Sequence, residues 1–335
     1  MEQNNRETKP SSFSSNILNL DVEKEVDRIC NFLSEAILKT FHRRGAVVGI
    51  SGGIDSSVVL ALCVRALGAG RVLGIIIPEK ESSPESVPLA QNLADQFGVR
   101  TVLEDITASL EGSGCYRRRD EAIRRIFPEF GPGWKVKITL PGSLLDQDIL
   151  NIFKLTVVSQ SGDVFTQRLP VQEFLQIVAA SNFKQRTRMA MLYYHAELCS
   201  YSVVGTPNKN EHGLGFFVKY GDGGSDVTPI VHLFKSQVYQ LAEYLNIPEE
   251  IKQRTPTSDT YSAGSTQEEF FFRLPFHILD TIWRGMELGI PPVDIATSLD
   301  LSPEQVIRVI DDIQRKQHTT SYLRQTILDL PYLDS

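Results

Sequence analysis

The fold is decided by the stretch Gly49-Ile50-Ser51-Gly52-Gly53-Ile54-Asp55-Ser56-Ser57. The apolar residues 46–50 predict a strand that runs into this stretch, and residues 56–67 predict a helix that leaves it and ends at Gly68. Gly52 and Gly53 permit positive φ angles and close approach of the backbone, so successive N–H groups can converge on an anion at the start of the helix. The order strand, loop, helix therefore predicts a cradle for a polyphosphate.

The polar side chains of the loop fit the same interpretation. Ser51, Ser56 and Ser57 offer hydroxyl donors, and Asp55 offers a carboxylate for Mg²⁺ beside the phosphates. The loop lacks the Gly-Lys-Ser/Thr ending of a Walker A loop and the G-x-G-x-x-G spacing of a dinucleotide fold. Many S-G-G-x-D strings are ordinary turns with a helix cap, but a position directly after an apolar strand favours phosphate binding.

Strands alternate with helices on both sides of the loop. The pattern predicts helices over 21–41, 86–97, 232–245 and 303–317 and further strands over 72–78, 101–105 and 203–205. This alternation predicts a doubly wound α/β fold with a parallel sheet, flanking helices and ligands at the carboxyl ends of the strands. Alternating apolar runs near 134–170, separated by turns, predict an inserted β-hairpin.

Composition excludes several classes of protein. The chain has 335 residues, 41% hydrophobic and 22% charged, and its longest apolar runs fall well short of the about 18 residues that span a bilayer. Residues 1–15 are polar and lack the apolar core of a signal peptide, which predicts a flexible tail and a cytoplasmic protein. A net charge of −7 argues against nucleic acid as a partner, and four scattered cysteines argue against a disulfide framework or a zinc ribbon.

The loop resembles that of the ATP pyrophosphatases, a superfamily with an adenine nucleotide alpha hydrolase-like fold. The resemblance implies that the loop grips the β and γ phosphates of ATP while an acceptor attacks the α phosphate, so that AMP is transferred and pyrophosphate leaves. It also implies one such domain over residues 16–320, with the insert near 134–170 and a C-terminal helical extension over 285–335 packed on it.

The second half of the chain resembles the ammonia-dependent NAD synthetases within that superfamily. Matching segments are N-F-K-Q-R-T-R-M at 182–189, G-T-P-N-K-N-E at 205–211, G-F-F-V-K-Y-G-D-G-G-S-D at 215–226 and P-T-S-D at 256–259. The resemblance implies that ATP and Mg²⁺ support adenylation of nicotinic acid adenine dinucleotide, and that ammonia then converts the adenylate to NAD. It also implies a homodimer, with ammonia taken up free or received from a separate donor.

The same resemblance assigns residues to roles. ATP would be bound by Gly49, Ser51, Gly52, Gly53, Asp55, Ser56, Ser57, Arg186, Thr206 and Thr257. The dinucleotide would be bound by Asn182, Arg186, Tyr193, Phe216, Lys219, Asp222, Asp226, Lys235 and His318. Asp55 and Glu211 would hold the metal, Phe216 would stack on the pyridine ring, and Asp222 and Lys235 would be catalytic.

Three alternatives stay open at this point. Gln267-Glu268-Glu269 and His318-Thr319 depart from the family pattern, which leaves a related amide ligase acting on a different carboxylate. Residues 292–317 imitate a helix-turn-helix, but the acidic residues of the second helix offset its basic ones, which disfavours DNA binding. A nucleotide sensor without turnover is disfavoured because Asp55, Glu211, Asp222 and Lys235 are all present.

Overall fold

A computed structural model describes residues 15–140, 142–146, 153–257, 262–264 and 266–330 of the chain. The first half holds helix α1 (Val22–Ser34), strand β1 (Ala46–Gly49), helix α2 (Ile54–Leu67), strand β2 (Val72–Ile76), helix α3 (Ser86–Gln96), strand β3 (Arg100–Leu103) and helices α4 (Thr107–Gly112) and α5 (Cys115–Arg124). Short helical turns occupy Ser15–Leu18, Glu35–Thr40 and Ala69–Arg71.

The second half continues with strands β4 (Lys135–Thr139), β5 (Lys154–Val158) and β6 (Val164–Arg168), helix α6 (Val171–Cys199), strand β7 (Ser202–Val204) and helices α7 (Lys209–Leu214), α8 (Lys235–Tyr244), α9 (Glu249–Lys252), α10 (Phe276–Glu287), α11 (Pro292–Leu299) and α12 (Pro303–Thr319). Short turns lie at Glu268–Phe272 and Ser321–Arg324. None of the helices in these described parts is long and apolar enough to cross a membrane.

The central sheet is parallel and has the order β3-β2-β1-β7. Alternate residues of β1 enter different cores: Ala46 and Val48 pack with α1, α2 and α8, whereas Val47 packs with α4, α5 and α6. Helices therefore cover both faces, which explains why the strands read as continuous apolar runs. The predicted doubly wound α/β fold is confirmed.

The insert is larger than predicted. It forms a three-stranded antiparallel sheet, β4-β5-β6, where the sequence predicted a hairpin of two strands. Val136, Ile138, Leu155 and Val157 pack against α5 and the start of α6. The insert is thus joined through a core of its own to the long helix that borders the site.

The C-terminal helices form another core. Residues of α10, α11 and α12 pack with Leu18, Leu214 and Phe234. Helix α12 starts with the predicted capping box, since Ser302 accepts from the N–H of Gln305 and the Gln305 side chain accepts from the N–H of Ser302. The division into one domain with a C-terminal extension stays a prediction, and of the predicted tail only residue 15 lies among the described residues.

Candidate active site

The phosphate loop has the shape that its glycines predicted. It follows β1 at the carboxyl edge of the sheet, Gly52 has φ +73°, and α2 starts directly after Gly53. The hydroxyls of Ser56 and Ser57 both donate to the Gly53 carbonyl, at 2.9 and 2.8 Å. These two serines therefore brace the turn, and the exposed Ser51 faces the space above it.

A charged cluster assembles at the first turn of α2. The Lys235 ammonium, 1% exposed, forms an ion pair with Asp55, although the two residues are 180 positions apart. Asn208, in the loop after β7, donates from Nδ2 to the other Asp55 oxygen at 3.0 Å. Two distant parts of the chain thus converge on the carboxylate of Asp55.

Glu211 is the second carboxylate of this cluster. It closes the capping box of α7, accepting from the N–H of Asn208 at 3.2 Å, and it also accepts from Gln267 Nε2 at 3.2 Å. Burial and the charge of Asp55 raise the pKa of Glu211 to about 8, against the opposing effect of Lys235. The raised pKa marks a place where negative charge is in excess.

The ammonium of Lys235 stays charged in this setting. Burial alone would lower the pKa of Lys235, but the charges of Asp55 and Glu211 outweigh burial and raise it. A buried cation therefore stands beside the phosphate loop.

Asp222 lies on the turn that the glycine-rich segment forms. Its Oδ1 accepts from the N–H of Val218 at 2.8 Å, and its side chain lines the same cleft as Asp55 and Lys235. Burial raises the pKa of Asp222 to about 6, although the Val218 N–H and Arg188 pull in the other direction. This carboxyl can therefore exchange a proton near neutral pH.

The cleft has a volume of about 680 Å³ and runs along α6. One face of this helix lines it with Phe174, Val178, Asn182, Met189 and Leu192. The distance from the first to the last of these residues is about 27 Å along the helix axis. The cleft is thus long enough to hold more than the triphosphate.

Aromatic side chains stand along the cleft. Phe153, which precedes β5 of the insert, stacks on Phe174 with ring centroids 4.4 Å apart. Phe216 packs at 4.9 Å from Phe271, and both rings line the cleft. Flat apolar surface is therefore available for planar rings at two separate places.

Most of the predicted site residues line this one cleft. They are Gly49, Ser51, Gly53, Asp55, Ser56, Asn182, Arg186, Thr206, Glu211, Phe216, Lys219, Asp222, Lys235 and Thr257. Residues 258 and 259 of the P-T-S-D segment lie outside the described residues.

Other predicted residues stand elsewhere within the single chain. The Tyr193 hydroxyl donates to Asp226 at 2.8 Å, and Asp226 also accepts from the N–H of Val203 at 2.8 Å, so this pair braces the glycine-rich turn against β7. His318 is exposed on the last turn of α12. Gly52 is buried within the loop, and Ser57 is buried in the first turn of α2.

Sequence reasoning missed several residues of the site. Asn208 orients Asp55, and Arg254 donates to the Gly52 carbonyl at 3.2 Å and to Ser86 at 3.0 Å, which fixes the back of the loop. Phe153 and Phe174 also line the cleft, and the sequence analysis gave neither of them a part in the site. Asp280 was missed although a signal existed, because it stands on α10 beside the buried Leu279 and Ile282, where an acid is unexpected.

Comparisons with known proteins agree on one family. The family model described as NAD synthase matches residues 25–121 and 148–322. The chain is 50% identical over 307 residues to the NH(3)-dependent NAD(+) synthetase of Mesorhizobium japonicum, covering 92% of this chain and 96% of that protein. It is 48% identical over 311 residues to the enzyme of the same name from Rhizobium meliloti, covering 93% and 92%.

Solved structures show the same fold. The NH3-dependent NAD synthetase from Campylobacter jejuni, in complex with the nitrate ion, superposes with a TM-score of 0.59 at 22% identity, over 93% of this chain and all of that one.

Proposed function

This chain belongs to the NAD synthase family and is a ligase that uses ATP to form NAD by amidation, and we propose that the cluster around Asp55 is where it does so. The acid is nicotinic acid adenine dinucleotide and the nitrogen donor is ammonia, as the names of the relatives support. The observation that carries the proposal is the convergence of Asp55, Lys235 and Glu211 on the phosphate loop.

The loop binds the β and γ phosphates of ATP in this proposal. Ser51 and Gly53 line the cleft at the start of α2, where the helix dipole favours an anion. Thr206, Thr257 and Arg186 line the cleft beyond the loop and complete the ATP contacts. The α phosphate is then exposed to the carboxylate of the dinucleotide.

Asp55 and Glu211 fit a magnesium ion. Carboxylate oxygens are hard ligands, and an ion held by one or two of them takes its other ligands from phosphates and water. Gln267 Oε1, beside Glu211, is buried and has no hydrogen-bond partner among the described residues, so it can accept from such a water. When bound, the ion neutralises phosphate charge and so promotes departure of pyrophosphate.

Lys235 stabilises the charge that develops on the phosphate oxygens. Its ammonium is buried and preorganised beside the loop, so little reorganisation is needed as the reaction proceeds. Asp55, the ion-pair partner of Lys235, would also hold the metal, and the ammonium would then be available to a phosphate oxygen. Lys235 thus acts in the adenylation step.

Asp222 accepts a proton in the second step. Ammonia attacks the carbonyl carbon of the adenylate, the bond from that carbon to the AMP oxygen breaks, and the attacking nitrogen loses a proton to Asp222. With a pKa of about 6, this carboxyl is mostly ionised at neutral pH and ready as a base.

The rest of the dinucleotide lies along α6. Phe216 offers its ring to the pyridine, and Asn182 and Lys219 offer polar contacts on the cleft wall. The stacked pair Phe153 and Phe174 lines the cleft at the start of α6 and would give the insert a part in binding the dinucleotide. Roles for Tyr193, Asp226 and His318 in substrate binding stay predictions.

A homodimer is supported by the outer face of α6. Leu175, Phe183, Tyr194 and Leu198 are 60%, 40%, 57% and 71% exposed, and they fall within about 140° around the helix axis. A second copy of the chain would cover this stripe. A separate ammonia donor, a cytoplasmic location and the absence of a nucleic-acid partner stay predictions.

The test measures AMP, pyrophosphate and NAD in reactions that contain the dinucleotide acid, ATP, Mg²⁺ and ammonium. The three products should appear in equal amounts, and omission of ammonium, metal or acid should stop NAD formation. AMP formed with a different carboxylic acid but not with this one would move the enzyme to another substrate.

A further inference from the structure

Asp280 is a fully buried acid that the mechanism above does not use. It lies on α10, is 0% exposed and does not line the cleft. Burial raises its pKa, while hydrogen bonds from Ser236 and Asn210 oppose that effect. A carboxylate away from water is costly unless its oxygens are satisfied, so its contacts indicate what it does.

The hydrogen bonds of Asp280 connect it to the first turn of α8. Asp280 Oδ2 accepts from the N–H of Ser236 at 2.9 Å and from its hydroxyl at 2.6 Å. Asp280 Oδ1 accepts from Asn210 Nδ2 at 2.6 Å, and Asn210 Oδ1 in turn accepts from the N–H of Lys235 at 2.9 Å. One carboxylate thus satisfies the first N–H groups of α8, directly at Ser236 and through Asn210 at Lys235.

Those N–H groups have no partner inside their own helix, because the first turn of any α-helix lacks carbonyls to bond to. A negative charge at this end also suits the helix dipole. Lys235 is the first residue of α8, so whatever holds this turn also sets where the Lys235 side chain starts.

We propose that Asp280 is a positioning residue for Lys235: through Ser236 and Asn210 it holds the start of α8 where the ammonium reaches Asp55 and the phosphate loop. This inference rests on the proposed role of Lys235 in adenylation. Asp280 touches no substrate and acts only through the lysine.

A carboxylate is required at position 280 because every group that contacts it there is a hydrogen-bond donor. In Asp280→Asn the new amide group faces either Asn210 or Ser236 with an N–H. Turning over the Asn210 amide moves the conflict to the N–H of Lys235. Every arrangement leaves one buried donor facing another, so the first turn of α8 must shift.

The exchange Asn210→Asp with Asp280→Asn removes this conflict. The amide at position 280 then accepts from Ser236 with its oxygen and donates to the carboxylate at position 210, which still accepts from the N–H of Lys235. Each hydrogen bond of the original network has a counterpart. Recovery in the exchanged enzyme is therefore the signature of positioning by hydrogen bonds.

The experiment measures kcat and KM for NAD formation in the full chain. Asp280→Asn should lower kcat about 10- to 100-fold, the usual effect of a partner behind an active-site group. KM for ATP and for the dinucleotide acid should change little, because Lys235 acts on charge that develops in the transition state. The double exchange should recover most of kcat.

Thr281→Val is the matched control. Thr281 is the next residue of α10, 2% exposed, and its hydroxyl donates only within its own helix, to the His277 carbonyl at 2.7 Å. This variant should lower the midpoint of thermal unfolding and leave kcat unchanged, which separates a weaker fold from a misplaced lysine. If Asp280→Asn does not fold, Ser236→Ala takes its place and should lower kcat while KM is kept.

Any of three results would overturn the inference. The first is a wild-type kcat in Asp280→Asn, and the second is a loss of rate that is fully explained by a loss of folded protein. The third is a double exchange that does not recover kcat. Wild-type enzyme that forms no NAD in the same assay would instead overturn the proposed function.

Discussion

Asp55→Asn tests the centre of the site because it removes one charge from a buried pair and keeps the shape of the side chain. The Lys235 ammonium, 1% exposed, then loses its ion-pair partner. Breaking a buried pair in this way usually costs about 3–5 kcal/mol. Glu211 stays nearby and its charge favours the ammonium, so we expect a smaller loss in the free energy of unfolding, about 2–3 kcal/mol.

The loss should depend on pH, and its sign follows from Glu211. The charge of Asp55 helps to raise the pKa of Glu211 to about 8 from an ordinary value of 4.5. A raised pKa contributes stability that is complete below the ordinary value and disappears as pH rises towards 8. Asp55→Asn lowers the pKa of Glu211 and so shortens the pH range over which Glu211 contributes this stability. As the pH rises towards 8, the unfolding free energy of the wild-type protein therefore falls more than that of the variant.

Urea denaturation at pH 5.5 and pH 8 measures the effect. The gap in unfolding free energy between wild type and Asp55→Asn should be larger at the lower pH. Adding Lys235→Met to Asp55→Asn should restore most of the stability, since no unpaired ammonium is left. A gap that grows with pH, or losses that simply add in the double variant, would refute this account of the cluster. AMP formation by Asp55→Asn should fall at least about 100-fold, because the metal that would neutralise the phosphates loses one of its two carboxylate ligands.

Further predictions concern the base, the loop and the insert. Asp222, with a pKa raised by burial to about 6, is protonated and inactive below that pH, so kcat/KM calculated on the concentration of free NH3 should rise through pH 6 and flatten above it; a flat profile in wild type would contradict this role. Gly52→Ala places a Cβ 3.0 Å from the Ser86 carbonyl at φ +73°, which should cost about 1–2 kcal/mol in urea denaturation and raise KM for ATP. Phe153→Ala should raise KM for the dinucleotide acid and leave KM for ATP unchanged, because it removes the ring stacked on Phe174 where the cleft meets the start of α6.

Much of the fold could be predicted because its signals are local. The apolar run before Gly49 and the glycines after it are neighbours in the chain, and β1, the loop and α2 form within about one residue or two of the predicted bounds. The motif segments likewise indicated that Asp55, Glu211 and Lys235 share one cleft, and the first two of them follow β1 and β7 at the carboxyl edge of the parallel sheet.

The third strand of the insert had a weaker signal, namely a turn at residues 161–163 followed by Phe165, and the sequence was interpreted as a hairpin of two strands. All residues of β6 are exposed, so its side chains show no alternation between a buried and a wet face. The strand is held by its backbone pairing to β5. Apolar periodicity reports which side chains are buried, so a strand that is held mainly through its backbone is hard to count from the sequence.

The polar network behind the site was hidden for a different reason. Asp280 lies 44 positions from Ser236 and 70 from Asn210, and only the packing of α10 against α7 and α8 brings them together. In an analysis of apolar periodicity, an acidic residue between Leu279 and Ile282 only interrupts the apolar face of the helix and is not assigned a role. Since burial of a carboxylate costs free energy, such a break persists only where it satisfies donors that the fold cannot satisfy otherwise, here the first N–H groups of the helix that bears Lys235. An acidic residue within the apolar face of a helix is therefore itself a sequence signal. Here it indicates a neighbouring helix whose first N–H groups are held by that carboxylate.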